Sequence, residues 1–141
     1  MKNKVKQSIA LILVFALSLS CASAVVVEQD AVQPRYMNID RFYATLRISE
    51  AGEADMESRV ELADSNSCRA ELKMTLEEKS DGNTWTPIFT WTGSGQVAVT
   101  LDEVRYVYRG SLYRVKAEVR VYNANNILIE TASTFSGEVN Y

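Results

Sequence analysis

Two segments of this chain show strict alternation of apolar and polar residues, which limits the fold to one built from β-strands. The alternation runs through residues 68–78 and again through residues 112–122. Successive side chains of a β-strand point to opposite faces of a sheet, so each run predicts a strand with one buried and one solvated face. The predicted buried sets are Cys68, Ala70, Leu72, Met74 and Leu76 in the first run, and Tyr113, Val115, Ala117, Val119 and Val121 in the second.

Five further segments favour strands less sharply, and turn signals rich in Gly, Asn and Asp separate all seven. The five segments are residues 39–48, 54–62, 84–91, 97–101 and 127–139. Residues 54–62 also fit a short helix, but a lone helix within a series of strands is unusual, so a strand is favoured. Pro87 predicts that its strand lies at a sheet edge.

The six turn signals are residues 50–52, 64–66, 81–83, 93–95, 110–111 and 123–126. We therefore predict an all-β fold, a seven-stranded immunoglobulin-like antiparallel β-sandwich after a signal peptide, in which the third and sixth strands pair.

The N-terminus has the three parts of a secretory signal peptide. Lysines at positions 2, 4 and 6 precede an apolar stretch over residues 9–19, and Ala22-Ser23-Ala24 supplies the small-x-small cleavage pattern. The apolar stretch is shorter than the ~20 residues that a spanning helix needs. We predict a signal peptide over residues 1–24, a leader or linker over residues 25–35, a β-sandwich domain over residues 36–141, and a secreted, extracellular protein.

Cys21 offers an alternative to release after Ala24. A lipoprotein signal places a cysteine after the apolar stretch, with a small residue before it and leucine three positions before it. Ser20 meets the first requirement, but Ser18 stands where leucine is expected. Release in soluble form is therefore favoured over a lipid anchor at Cys21. No wall-sorting signal follows the last predicted strand, so we expect no wall attachment.

The net charge of the predicted mature chain limits the classes of partner that it can bind. Losing the three lysines of the signal peptide takes the net charge from -3 to -6. An acidic domain with no predicted basic stripe argues against nucleic acid and anionic lipid as partners, and we expect no membrane insertion of the mature domain.

Cys68 is the single cysteine of the predicted mature chain. We expect it to be a buried free thiol, with an intermolecular disulfide or a reactive thiol as the alternative.

The sequence offers no recognisable catalytic, cofactor-binding or metal site. The chain has no histidine, the usual base for a nucleophilic hydroxyl or thiol, and no zinc or calcium signature. Asp81-Gly82-Asn83 resembles a fragment of a calcium loop, but a hairpin turn explains it without an ion. We expect no enzyme activity and no cofactor. A carboxylate pair for glycoside hydrolysis stays an open alternative, because spacing in space is not readable from the chain.

Aromatic residues are the remaining lead to function. Those in or near the predicted strands are Trp85, Trp91, Tyr106, Tyr108, Tyr113 and Tyr122. They are interpreted either as a sugar-stacking platform or as ordinary core and edge packing. Tyr113 begins the penultimate predicted strand after a Gly-Ser turn. That is the place of the tyrosine corner of β-sandwiches, whose hydroxyl bonds to backbone just upstream.

Several motifs carry a resemblance to known families. They are Val32-Gln-Pro-Arg-Tyr-Met-Asn-Ile39, Trp85-x-x-Ile88-x-x-Trp91, Gly93-Ser-Gly95, Tyr113-Arg-Val-Lys116 and a terminal tyrosine. With these the chain resembles a family of small secreted Gram-positive bacterial proteins catalogued as a domain of unknown function. Tyr113-Arg-Val-Lys116 is also similar to the penultimate strand of fibronectin type III domains. The first resemblance implies a secreted protein but brings no particular activity with it, and the second agrees with the predicted sandwich.

Two function classes follow. The first is an extracellular interaction or structural module without catalysis, whose partner is an extracellular protein or glycan. The second is a carbohydrate-binding module for cell-wall or host glycans. An exposed row of aromatic side chains on one face favours the second class, and aromatic side chains buried between the sheets favour the first.

Overall fold

The computed structural model describes residues 36–64, 66–79 and 83–141. The predicted signal peptide and the leader over residues 25–35 lie outside the described residues. Within the described ranges the regular elements are strands, and no helix there is long and apolar enough to cross a membrane. The strands are β1 (Ile39–Ile48), β2 (Glu53–Leu62), β3 (Cys68–Lys79), β4 (Trp85–Gly95), β5 (Ala98–Tyr106), β6 (Leu112–Asn123), β7 (Leu128–Phe135) and β8 (Val139–Asn140).

The strands form two antiparallel sheets. One has the order β1-β2-β5 and the other the order β4-β3-β6-β7, with β8 also paired to β6. Apolar side chains of both sheets meet between them, so the fold is the all-β, immunoglobulin-like sandwich that the alternation predicts. β3 pairs with β6, as predicted. β4 lies beside β3, whereas the fourth strand of a constant-type immunoglobulin domain belongs to the other sheet.

The predicted buried faces are confirmed. Alternate residues of β2 from Ala54 to Leu62 are buried, so this segment is a strand and the helical alternative is wrong. In β3 and β6 the predicted inward side chains are also buried. Cys68 is a free, buried thiol among the described residues, which confirms its predicted burial. Each large apolar side chain removed from water in this way stabilises the fold by about 1.5–3 kcal/mol.

Gly93-Ser94-Gly95 was predicted as a turn, and this prediction is wrong because the three residues end β4. The glycines allow a close approach to β5. A Cβ atom at Gly93 would lie 3.1 Å from a methyl carbon of Leu101, and one at Gly95 would lie 2.9 Å from the carbonyl oxygen of Ala98. Glycine is common both in turns and in strands that another backbone approaches closely. The local sequence alone therefore does not distinguish the two cases, and the packing does.

The last predicted strand, residues 127–139, is divided into β7 and β8, so the sandwich has eight strands where seven were predicted. Ser136 lies at the break. Its backbone nitrogen donates to the Val115 carbonyl oxygen at 2.9 Å, and its Oγ accepts from the Val115 nitrogen at 2.8 Å. The side chain thus replaces a backbone acceptor of the ladder, which interrupts the strand without leaving the buried Val115 nitrogen unpaired.

Tyr113 forms the predicted tyrosine corner. Its hydroxyl donates to the carbonyl oxygen of Tyr108, five residues upstream, at 2.8 Å, and only 1% of the residue is exposed. Burial raises the pKa of the Tyr113 hydroxyl. This contact ties the start of β6 to the loop that leads into it.

Candidate functional site

The outer face is defined here as the solvent side of the sheet β4-β3-β6-β7. Its centre consists of β3 and β6, whose predicted outward side chains are confirmed and lie opposite one another in register. Charges of opposite sign therefore become neighbours, which stabilises a sheet modestly at each pair. The oppositely charged neighbours are Glu71 and Arg120, Lys73 and Glu118, and Glu77 and Arg114.

Glu118 is shared by two lysines. Lys116 lies 3.0 Å from one of its carboxylate oxygens, and Lys73 lies 3.5 Å from the other. The hydrogen bond from Lys116, followed by the charge of Lys116 and Lys73, holds the pKa of the Glu118 carboxyl below its usual range. This carboxylate is therefore ionised at neutral pH, and two cations surround one anion.

Glu71 is engaged through both of its oxygens. Arg69 donates to Oε1 at 2.7 Å, and the Tyr122 hydroxyl donates to Oε2 at 3.0 Å. These two hydrogen bonds, Arg69 first, hold the pKa of the Glu71 carboxyl below its usual range. The guanidinium of Arg69 also lies 4.2 Å from the centre of the Tyr122 ring. The three side chains thus form one connected group at this end of the outer face.

The opposite end of the outer face holds a second group, built around Arg114. Its Nε donates to Glu77 Oε2 at 2.7 Å. Its guanidinium carbon lies 4.1 Å from the ring centre of Trp85 and 4.2 Å from that of Phe135. Guanidinium groups stack favourably on aromatic rings. The strands β4, β3, β6 and β7 each contribute one side chain, so the group ties the whole width of the sheet together.

Two adjoining hollows lie between these end groups. The first has a volume of about 540 Å³ and is lined by charged side chains of the central strands and by the hydroxyl groups of Thr92 and Ser94 on β4. The second, of about 360 Å³, is lined by Thr131 and Ser133 on β7. Arg120 and Glu118 line both. Both hollows are open to solvent, and most of the side chains that line them are charged or carry a hydroxyl group.

The structure does not bring the six candidate aromatic residues into one row. Trp85 and Tyr122 lie on the outer face, one in each end group. Tyr113 is in the core, and Trp91 packs against the core from β4. Tyr106 and Tyr108 are 70% and 86% exposed on other parts of the chain. A continuous sugar-stacking platform from these six residues is therefore absent, although Trp85 and Phe135 place two rings on the outer face.

The chemistry available on the outer face is hydrogen bonding and ion pairing. A glycosidase needs one carboxyl with a raised pKa as general acid. Glu71 and Glu118, the two carboxylates of the first hollow, both have lowered pKa values. Among the residues that the structure describes, no group of three or more His, Cys, Asp or Glu residues could hold a metal ion. Asp81 and Gly82, which belong to the sequence that resembles a fragment of a calcium loop, lie outside the described residues.

Sequence reasoning missed part of this surface. Phe135 was not singled out, and Thr92 and Ser94 were hidden by the predicted turn that is in fact the end of β4. Strict alternation through β4 would not have placed Trp85 and Thr92 on the same face, because the strand has a register shift opposite Leu76 and Glu77. No protein-family model matches this chain, and no curated protein matches it in sequence.

Proposed function

We propose that this protein is an extracellular binding module without catalytic activity, and that the outer face is its binding surface. The observation that carries the proposal is the pair of adjoining hollows on the outer face, which are lined mostly by charged and hydroxyl-bearing side chains. Three of their four charged side chains, those of Glu71, Lys73 and Glu118, are held by ion pairs of 2.7–3.5 Å. Side chains that are already ordered lose little conformational entropy when a ligand binds, so such a surface is suited to recognition.

Binding is favoured over catalysis by the state of the two carboxylates. Glu71 and Glu118 are both held ionised, and each already accepts hydrogen bonds or ion pairs from its neighbours. Neither is suited to donate a proton, and no histidine is present to act in their place. An assay against chromogenic glycosides tests this directly, because any turnover that Glu71→Gln or Glu118→Gln abolishes contradicts the proposal.

The extracellular location rests on the N-terminal sequence. The lysines, the apolar stretch and Ala22-Ser23-Ala24 support export, and the poor match before Cys21 supports release without lipid. Mass spectrometry of the secreted protein is expected to find Val25 as the first residue. A diacylglyceryl group on Cys21, or an intact N-terminus on protein that stays in the cell, would overturn this part of the proposal.

Obstructing the first hollow tests the binding surface. Thr92 is an exposed, outward residue of the edge strand β4, and Thr92→Tyr would fill the hollow at little cost to the strand. Thr45 on the edge strand β1 of the other sheet is equally exposed and outward, so Thr45→Tyr is the matched control. On a panel of glycans and extracellular proteins, we expect Thr92→Tyr to lose whatever the parent protein binds and Thr45→Tyr to retain it. The reverse pattern would place the binding surface elsewhere.

Glycan binding is the second candidate, and one observation favours it. Phe135 is 45% exposed, and with Trp85 it places two rings at the end of the outer face that holds Arg114. Aromatic rings beside hydroxyl-lined hollows are suited to sugars. On a glycan array, Trp85→Ala should then weaken binding, whereas Tyr106→Ala, which removes an exposed ring from the other sheet, should not. Equal effects of the two variants would argue against stacking at this site.

A further inference from the structure

Charge is divided unequally between the two sides of the sandwich. The outward positions of the sheet that contains β4, β3, β6 and β7 hold six cations and three carboxylates, a formal charge of +3. The outward positions of the three-stranded sheet hold three cations and five carboxylates, a formal charge of -2. The outer face is therefore positively charged, although the chain as a whole is acidic. Those six cations are Arg69, Lys73, Lys79, Arg114, Lys116 and Arg120.

Arg120 is the cation on this face that is most available to a ligand. It lies opposite Glu71 in register, but both oxygens of Glu71 accept hydrogen bonds from Arg69 and Tyr122. Among the described residues, no carboxylate oxygen forms an ion pair with Arg120 within the 4.0 Å limit that the other pairs satisfy. Its guanidinium is exposed and lines both hollows. It therefore offers free N–H donors at the centre of the proposed binding surface.

Lys73 adds to the positive charge in the first hollow. It shares Glu118 with Lys116, at 3.5 Å and 3.0 Å respectively, so one carboxylate faces two ammonium groups. The side chain of Lys73 is 51% exposed. Lys73 and Arg120 both line this hollow, and an anionic group placed between them would neutralise charge that the protein itself leaves uncompensated.

The rest of the surface is suited to neutral hydroxyl groups. Rows of serine and threonine flank the charged strands on both sides, and the carboxylates of Glu71 and Glu118 lie between the cations. A ligand of high charge density, such as duplex DNA with one negative charge per ~1.7 Å, would meet these carboxylates unfavourably. A protein partner would usually place apolar side chains at the centre of its contact, whereas most side chains that line these hollows are charged or carry a hydroxyl group. A chain whose anions are separated by hydroxyl-bearing units avoids both difficulties.

We infer that the outer face binds a polysaccharide with sparse negative charges, with its anionic groups at Arg120 and Lys73 and its sugar hydroxyl groups at the flanking serine and threonine rows. This inference rests on the proposed function, since it names the ligand class for the same face. Lys73 pairs with Glu118, and Arg120 follows two residues later on β6, so the two cations are diagonal neighbours about 7–8 Å apart. One anionic group of the chain therefore fits between them, with neutral sugar units on either side.

The experiment measures binding of the purified secreted protein to hyaluronan and chondroitin sulfate, with dextran, polyglutamate and duplex DNA as comparators. Arg120→Ala combined with Lys73→Ala should weaken binding to the anionic polysaccharides by about tenfold or more. Arg41→Ala combined with Arg47→Ala removes the same charge from the other sheet and should leave binding unchanged. Binding should also weaken as the salt concentration rises. Circular dichroism verifies that both double variants are folded.

The outcomes separate this inference from the proposed function. Dextran bound as tightly as hyaluronan, or an unchanged affinity in the Arg120/Lys73 variant, overturns the role of charge, while loss of binding in Thr92→Tyr would keep the outer face as the site. Tighter binding of polyglutamate or DNA overturns the polysaccharide in favour of an acidic protein or a nucleic acid. No binding to either anionic polysaccharide overturns the inference. The proposed function fails separately if Thr92→Tyr changes no interaction at all.

Discussion

Removing the hydroxyl group of Tyr113 tests whether the tyrosine corner stabilises this sandwich. The hydroxyl donates to the Tyr108 carbonyl oxygen at 2.8 Å and makes a longer contact of 3.3 Å with Glu78. Because the residue is 1% exposed, water cannot easily replace these partners in Tyr113→Phe. Losing one buried hydrogen bond and leaving its acceptor poorly satisfied costs about 1–2 kcal/mol. For a domain of this size the melting temperature should fall by about 4–10 °C.

Tyr122→Phe is the matched control, because it makes the same change on the same strand. Its hydroxyl donates to Glu71 on the partly exposed outer face, and Glu71 keeps its hydrogen bond from Arg69. Water can replace the lost donor there, so a far smaller effect is expected. Urea unfolding followed by fluorescence, together with thermal melting, compares the variants. An equal loss in both, or no loss in Tyr113→Phe, would refute the view that burial gives the corner its value.

Three further predictions follow from burial and charge. Val119 is 1% exposed, so Val119→Asp should prevent folding, because an unpaired carboxylate cannot be buried there. The preceding residue, Glu118, faces solvent, so Glu118→Ala should change the free energy of unfolding by no more than about 1 kcal/mol. Circular dichroism and urea unfolding distinguish them, and a folded Val119→Asp protein beside an unfolded Glu118→Ala protein would mean that the strand register is wrong. Ser58 Oγ is buried without a hydrogen-bond partner among the described residues, so Ser58→Ala should raise the free energy of unfolding by about 1 kcal/mol. If urea unfolding gives a lower free energy for this variant, the hydroxyl group has a partner. The folded-state pKa values of Glu71 and Glu118 are lowered, so their contribution is complete at neutral pH and is lost as the pH falls through those values. Melting temperatures should therefore fall between about pH 5 and pH 3, and less steeply in the Glu71→Gln/Glu118→Gln protein; identical slopes would contradict this.

The outer face was predictable only in part. Alternation placed the charged side chains of β3 and β6 on solvent sides, and the pairing of the third and sixth strands made opposite charges plausible neighbours. Two features of the outer face could not be predicted from alternation and strand pairing. The availability of Arg120 depends on Glu71 being engaged by Arg69 and Tyr122, and the stack at Arg114 depends on Phe135, which belongs to a different strand. Tyr122 reaches Glu71, and Phe135 reaches Arg114, only because different strands of the sheet become neighbours.

Alternation alone predicted most of the strands and their buried sides, because the two-residue period is a property of each extended backbone segment and does not depend on its neighbours. It placed a tyrosine at the start of β6, where the corner contact to Tyr108 forms. The tertiary structure decided which glycines end a strand and which make a turn, where Ser136 interrupts the last strand, and which charges remain unpaired. These depend on how the two sheets pack and on which strands become neighbours, and the free energy that sets them belongs to the whole domain.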